Sequence, residues 1–235
     1  MSSDWSSDVC SSDLEEHWCE TGERFIDYIL DHHVNRGQMP GLEMYDFCEF
    51  VDKNFKPWKD AQGRILSDPG HSLEFVGLAA KFLMALEERE DRPDAREALL
   101  GRCRKTFPKI FLRNLCNGRN PDVGGICKAF DLVSRTPLNS DMPWWSLPET
   151  LRAGAELLVF CDPAEDKDAI VQGLADCSNA FFSYFVNPAV NLCAYQTVDA
   201  EGAPVDTIPA TPDADPGYHT GLSIIDFLRC MKNVS

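Results

Sequence analysis

One local device appears twice in this chain and constrains its fold more than any other feature. Asp68-Pro69-Gly70-His71-Ser72-Leu73-Glu74 recurs in outline as Asp215-Pro216-Gly217-Tyr218-His219, and each copy runs into a helix-like segment. Asp60-Ala61-Gln62-Gly63 precedes the first copy and Asp199-Ala200-Glu201-Gly202 the second, both with hairpin-turn chemistry. The repeated unit is therefore hairpin, Pro-Gly bend, histidine, helix. Proline is pre-organised for the first helical position, so the bend sets each histidine where its helix begins. Two histidines delivered in the same way point to a pair acting on one substrate.

The hydrophobic pattern predicts six helices, at about Trp18–Val34, Ser72–Glu88, Asp94–Cys116, Leu147–Cys161, Asp166–Val186 and Thr220–Met231. Apolar stripes at helical spacing mark three of them as inner, buried helices. These stripes are Phe75, Leu78, Phe82 and Leu86 in the second helix, Leu147, Leu151, Gly154 and Leu158 in the fourth, and Leu222, Ile225, Phe227 and Leu228 in the sixth. Strand-and-turn stretches near Met44–Leu66, Gly124–Pro137 and Val190–Ile208 each lie just upstream of one of these three. This order is that of an all-α toroid of paired helices, with long loops gathered on one rim that carries the chemistry.

Residues 1–14 are set apart from this fold. Asp4 to Leu14 reads DWSSDVCSSDL, which a common short-read sequencing adapter encodes in full; the alternative is a polar, disordered N-terminus. The adapter reading makes residues 15–235 the C-terminal part of a longer protein. A half ring of six helices would then be inactive and poorly soluble by itself. With 22 basic against 38 acidic residues and a formal charge of -16, the surface repels phosphate backbones and anionic lipid, which argues against nucleic-acid and membrane partners. The ten cysteines are scattered without a CxxC pair and read as buried free thiols of a reducing, cytoplasmic setting. No apolar run has membrane-spanning length.

Three clusters open the proposed inner helices. His71 and Glu74 are three residues apart, so both fit one face of a first helical turn, with the carboxylate placed to orient or tune the imidazole. Trp144 and Trp145 stand before a helix containing Glu149, as a sugar-stacking wall or as core. Glu149 is a buried carboxylate or a solvated first-turn acid. His219 opens the last helix. A metal site of two histidines and two glutamates is disfavoured, because neither HExxH nor ExxH occurs.

At these residues the chain resembles the N-acylglucosamine 2-epimerase family, which includes cellobiose 2-epimerases and aldose-ketose isomerases acting on mannose or sulfoquinovose. Pro69-Gly70-His71 with Glu74, Trp144-Trp145 with Glu149, and His219 occur in the family's order, and Gly124-Gly125 resembles its GG. The resemblance implies the C-terminal half of an (α/α)6 barrel, with His71 and His219 catalytic on opposite faces of an open-chain sugar. Glu74, Trp144, Trp145 and Glu149 would support them or bind substrate. It further implies no required cofactor, leaves room for nucleotide modulation and for a homodimer, and names a small sugar as the substrate. The chain departs from the family at Asp141-Met142-Pro143, where a lysine is common, and at Phe75-Val76-Gly77. Inverting a carbon next to a carbonyl needs a base on one face and an acid on the other, which suits two groups titrating near neutrality. The rival readings are an aldose-ketose isomerase, a glycoside hydrolase or lyase built on opposed carboxylates, and a non-catalytic protein-binding member.

Overall fold

The computed structural model describes residues 16–90, 93–161, 164–186, 189, 194–205 and 218–234. The segment 1–14, the bend Asp215-Pro216-Gly217 and much of the third hairpin stretch lie outside them. Six helices alternate with short strands in the expected order: α1 Glu16–His32, β1 Leu66–Ser67, α2 Pro69–Glu87, α3 Asp94–Gly118, β2 Ala129–Asp131, β3 Thr136–Asn139, β4 Met142–Pro143, α4 Ser146–Phe160, α5 Lys167–Ala180, β5 Thr197–Val198 and α6 Ser223–Val234. A wide π-turn, Phe181–Phe185, extends α5, and another, Tyr218–Leu222, leads into α6.

Packing divides the helices into two layers. α4 lies between α2 and α6, while α3 backs α2 and α5 backs α4. Glycines set the close approaches. A Cβ on Gly77 of α2 would lie 3.0 Å from the Cα of Ala153 in α4, and one on Gly154 would lie 2.6 Å from Leu174 Cδ2 in α5. The inner helices are thus α2, α4 and α6, as the apolar stripes predict.

The stripes themselves need correction. α4 is buried on nearly every side, including Glu149, Arg152 and Glu156, rather than along one face. Conversely, Leu78 of α2 and Leu222, Ile225 and Leu228 at α6 are exposed, the last at 53 %. α2 is packed by α3 and α4 and touched by α1, and α6 packs chiefly on α4, so these exposed positions lie on the remaining flanks of the two helices.

The hairpins link consecutive units along one rim. β1, before α2, pairs antiparallel with β2, which pairs with β3, and β4, before α4, pairs with β5. Their turns share one mechanism. Asp60 Oδ1 accepts the backbone N–H of Gln62 and Arg64, and Asp199 Oδ1 accepts those of Glu201 and Ala203, with Gly63 and Gly202 at φ +78° and +84°. The eight described cysteines are free, and six of them are buried. No described helix is long and apolar enough to cross a membrane.

Gly77→Leu is expected to lower unfolding free energy by about 1–3 kcal/mol, because it must wedge α2 from α4. Gly101→Ala, a helical position with nothing within 4 Å of its added Cβ, is expected to raise it by about 0.5–1 kcal/mol. Denaturant titration of both checks the close-packed inner layer; a neutral Gly77→Leu contradicts it.

Candidate active site

The site begins with an N-cap. Asp68, extended at φ -99° and ψ 103°, accepts the Gly70 N–H at 3.0 Å and the His71 N–H at 3.4 Å through Oδ1, with Pro69 as the first helical residue. His71 is thereby fixed in the first turn of α2. Its neighbour Gly70 has a packing reason for lacking a side chain: an added Cβ would sit 2.8 Å from Trp145 Cη2.

Trp145 connects the histidines. Its ring centroid is 5.4 Å from that of His71, near-stacked at 28°, and 5.2 Å from that of His219, tilted at 38°. Trp144 is held differently, its indole N–H donating to Gln196 Oε1 at 2.9 Å and its backbone N–H to the Gln196 carbonyl. Both tryptophans are nearly buried. The indole of Trp145 is therefore at once core and the wall on which both imidazoles rest.

Each imidazole is held through Nδ1 by a carboxylate. His71 Nδ1 lies 3.0 Å from Glu49 Oε1 and 3.5 Å from Asp68 Oδ2. His219 Nδ1 lies 2.8 Å from Glu149 Oε1 and 3.9 Å from Glu74 Oε1. An ionised carboxylate only accepts, so Nδ1 carries the proton and Nε2 is the basic nitrogen of each neutral ring. The hydrogen bond from His71 to Glu49 raises that imidazole above its usual range, against the opposing effect of burial. Burial, reinforced by Glu149, pushes the Glu74 carboxyl up, and His219 partly offsets it.

The partnership expected of Glu74 is therefore reassigned. Although Glu74 shares a helix with His71, it approaches His219, and Glu49 is the partner of His71. A side chain in the second turn of α2 can reach across to the neighbouring inner helices, a direction that spacing alone does not reveal. Glu149 is fully buried and ion-paired with the equally buried Arg152, and it also accepts a hydrogen bond from Ser223 Oγ at 3.1 Å. Sequence reasoning passed over Glu49, Arg152, Ser223 and Lys128. Glu49 gives no local signal, since it precedes His71 by 22 residues in an irregular segment.

Glu74, Glu149 and His219 bring one ligand atom each within 4.8 Å of one another. Glu149 is already engaged by Arg152, His219 and Ser223, so an ion here would have to displace an established hydrogen-bonded acid–base group, and no metal is assigned. His71 and Glu74 also edge an apolar cleft of 340 Å³ between α1 and α2, beside Phe47, Phe75 and Leu78. His219 is not among its lining residues.

Against known proteins, the sequence profile described as N-acylglucosamine 2-epimerase (GlcNAc 2-epimerase) matches residues 9–220. The chain belongs to the N-acylglucosamine 2-epimerase family. No curated protein sequence matches it. Among solved structures it resembles a sugar epimerase from a ruminal bacterium (TM-score 0.71, 13 % identity, 96 % of this chain and 50 % of that one). It also resembles the cellobiose 2-epimerase of Bacillus thermoamylovorans B4167 (TM-score 0.63, 13 % identity, 93 % and 48 %) and a D-mannose isomerase (TM-score 0.51, 19 % identity, 76 % and 41 %). The chain thus spans about half the length of the structures it matches. These likenesses establish the helical toroid fold of the epimerase family.

Within this family member, the Glu149–Arg152 pair is the polar foundation of the rim. Arg152→Met is expected to cost about 3–5 kcal/mol, because it strands a buried carboxylate. Adding Glu149→Gln should recover most of the loss. Chemical denaturation of the single and double variants tests this; a loss below about 1 kcal/mol for Arg152→Met contradicts it.

Proposed function

We propose that this rim performs sugar 2-epimerisation, with His71 and His219 as the proton-transfer pair. The observation that carries the reading is the matched holding of two imidazoles: both rest on the Trp145 indole, and each is anchored through Nδ1 to its own carboxylate. In the proposed reaction, Nε2 of one histidine removes the proton from the carbon next to the carbonyl of the open-chain sugar. The bonding electrons move into an enediolate. The other histidine, entering protonated, returns a proton to the opposite face, which inverts that carbon and leaves the overall atom count unchanged.

The supporting groups follow from their places. Glu49 and Glu149 hold the ring tautomers, Glu74 is a carboxyl beside His219 that burial pushes up and that can bond a sugar hydroxyl, and Trp145 excludes water from one side of both rings. The chemistry uses protein groups alone, and the substrate is a small sugar. The resemblance to a D-mannose isomerase favours one second reading on the same residues: returning the proton to the neighbouring carbon converts an aldose to a ketose. Opposed carboxylates of a hydrolase are less well matched here, since Glu149 is tied to Arg152 and Glu49 to His71.

His71→Asn and His219→Asn, each introduced into the full-length gene product, are expected to lower turnover about 10²–10⁴-fold while the melting transition is retained. Asparagine keeps hydrogen-bonding capacity but exchanges no proton near neutral pH. Chromatographic assay of the epimer and ketose products separates the two readings. Wild-type turnover in both variants would remove the pair from the mechanism.

A further inference from the structure

Lys128 has no part in the proposed proton transfer, yet it is the one described lysine seated on the aromatic wall of the site. Its Nζ lies 2.7 Å from Asp68 Oδ2 and 5.3 Å from the ring centroid of Trp145. Its backbone N–H donates to the Asp141 carbonyl at 2.8 Å, which ties the residue to the segment entering β4. Asp68 is nearly buried and performs two tasks, capping α2 through Oδ1 and facing the His71 ring through Oδ2.

The groups around His71 come from every adjoining element. Glu49 approaches from the segment before β1, Asp68 from the N-cap, Glu74 from the next turn of α2, and Lys128 from the segment before β2, while the N-cap of α4 supplies the Trp145 ring. Two carboxylates thus stand within 3.5 Å of the same Nδ1. Left uncompensated, both would favour the imidazolium and deprive the ring of its function as a base.

We propose that Lys128 is a positioning residue for His71: by binding Asp68 and offsetting part of its charge, it limits how strongly the two carboxylates at Nδ1 favour the imidazolium. The charge of Lys128 opposes imidazole protonation directly, and the ion pair also keeps Asp68 in the geometry that caps the helix. The cation–π contact with Trp145 fixes the ammonium over the wall that both histidines share. Lysine suits this position because its single charged tip can meet one carboxylate oxygen and a ring face together.

The kinetic consequence rests on the proton-transfer role of His71, whereas the titration of the ring itself does not. Histidine ring resonances followed by NMR against pH should therefore show His71 titrating at higher pH in Lys128→Met than in the wild type. Lys128→Arg should restore the wild-type midpoint, and Glu49→Gln should move it the other way. In the full-length enzyme, Lys128→Met is expected to lose about three- to tenfold in kcat/KM at the acidic end of the pH profile and to approach wild-type values at the alkaline end. An unchanged or lowered His71 midpoint in a folded Lys128→Met overturns the proposal. If that variant loses its cooperative melt, Lys128→Gln gives the same decision with a polar side chain in place. A raised midpoint with a pH-independent kinetic loss would uphold the tuning by Lys128 and count against His71 as the base.

Discussion

The indole of Trp145 is the contact on which the rest of the site depends. It reaches His71 and His219 at nearly equal ring separations and lies under the Lys128 ammonium, so α2, α4 and the segment entering α6 meet on one rigid aromatic surface. Gly70 permits the contact, since any side chain there would collide with the ring. A stacked wall restricts the imidazoles without titrating itself. That leaves their protonation to the carboxylates around them.

Those carboxylates are graded by their own partners. Glu149 is neutralised by Arg152 and gives its free acceptor capacity to His219 and Ser223; Glu49 has His71; Asp68 is shared between the α2 cap, Lys128 and the His71 ring. The strongly acidic composition reaches the site only in part, because Arg152 pairs with Glu149 and Lys128 with Asp68 beside the two rings. Further along α4, burial pushes the Glu156 carboxyl up to about 7, so the polar line on this buried helix extends beyond the rim.

The helix order, the inner identity of α2, α4 and α6, and the gathering of His71, Trp145, Glu149 and His219 were legible in the sequence. The Pro-Gly-His unit and the Asp-x-x-Gly turns act through short-range backbone chemistry that a sequence displays directly. What escaped were pairings made across the rim. Glu49 reaches His71 from a segment without periodicity, and Lys128 reaches Asp68 from 60 residues away. The stripe reading of α4 also concealed Arg152 and Glu156, because a helix enclosed on all sides buries its polar residues along with its apolar ones. The stripes on α2 and α6 went partly unburied for the complementary reason: neither helix is enclosed on all sides as α4 is, and Leu78, Leu222, Ile225 and Leu228 fall on the sides left open.

Two histidines serving two faces of one carbon is the proposed arrangement, and solvent isotope labelling decides it. The full-length enzyme is given unlabelled sugar in deuterated water and stopped early, and product and residual substrate are separated and examined by NMR. A two-histidine exchange predicts deuterium at the carbon next to the carbonyl in the epimerised product, with the recovered substrate still carrying hydrogen there. Product that keeps its original hydrogen would contradict it, because one group must then remove and return the same proton; label spread equally over product and recovered substrate would contradict it too, because a single solvent-exchanging group must then deliver to both faces.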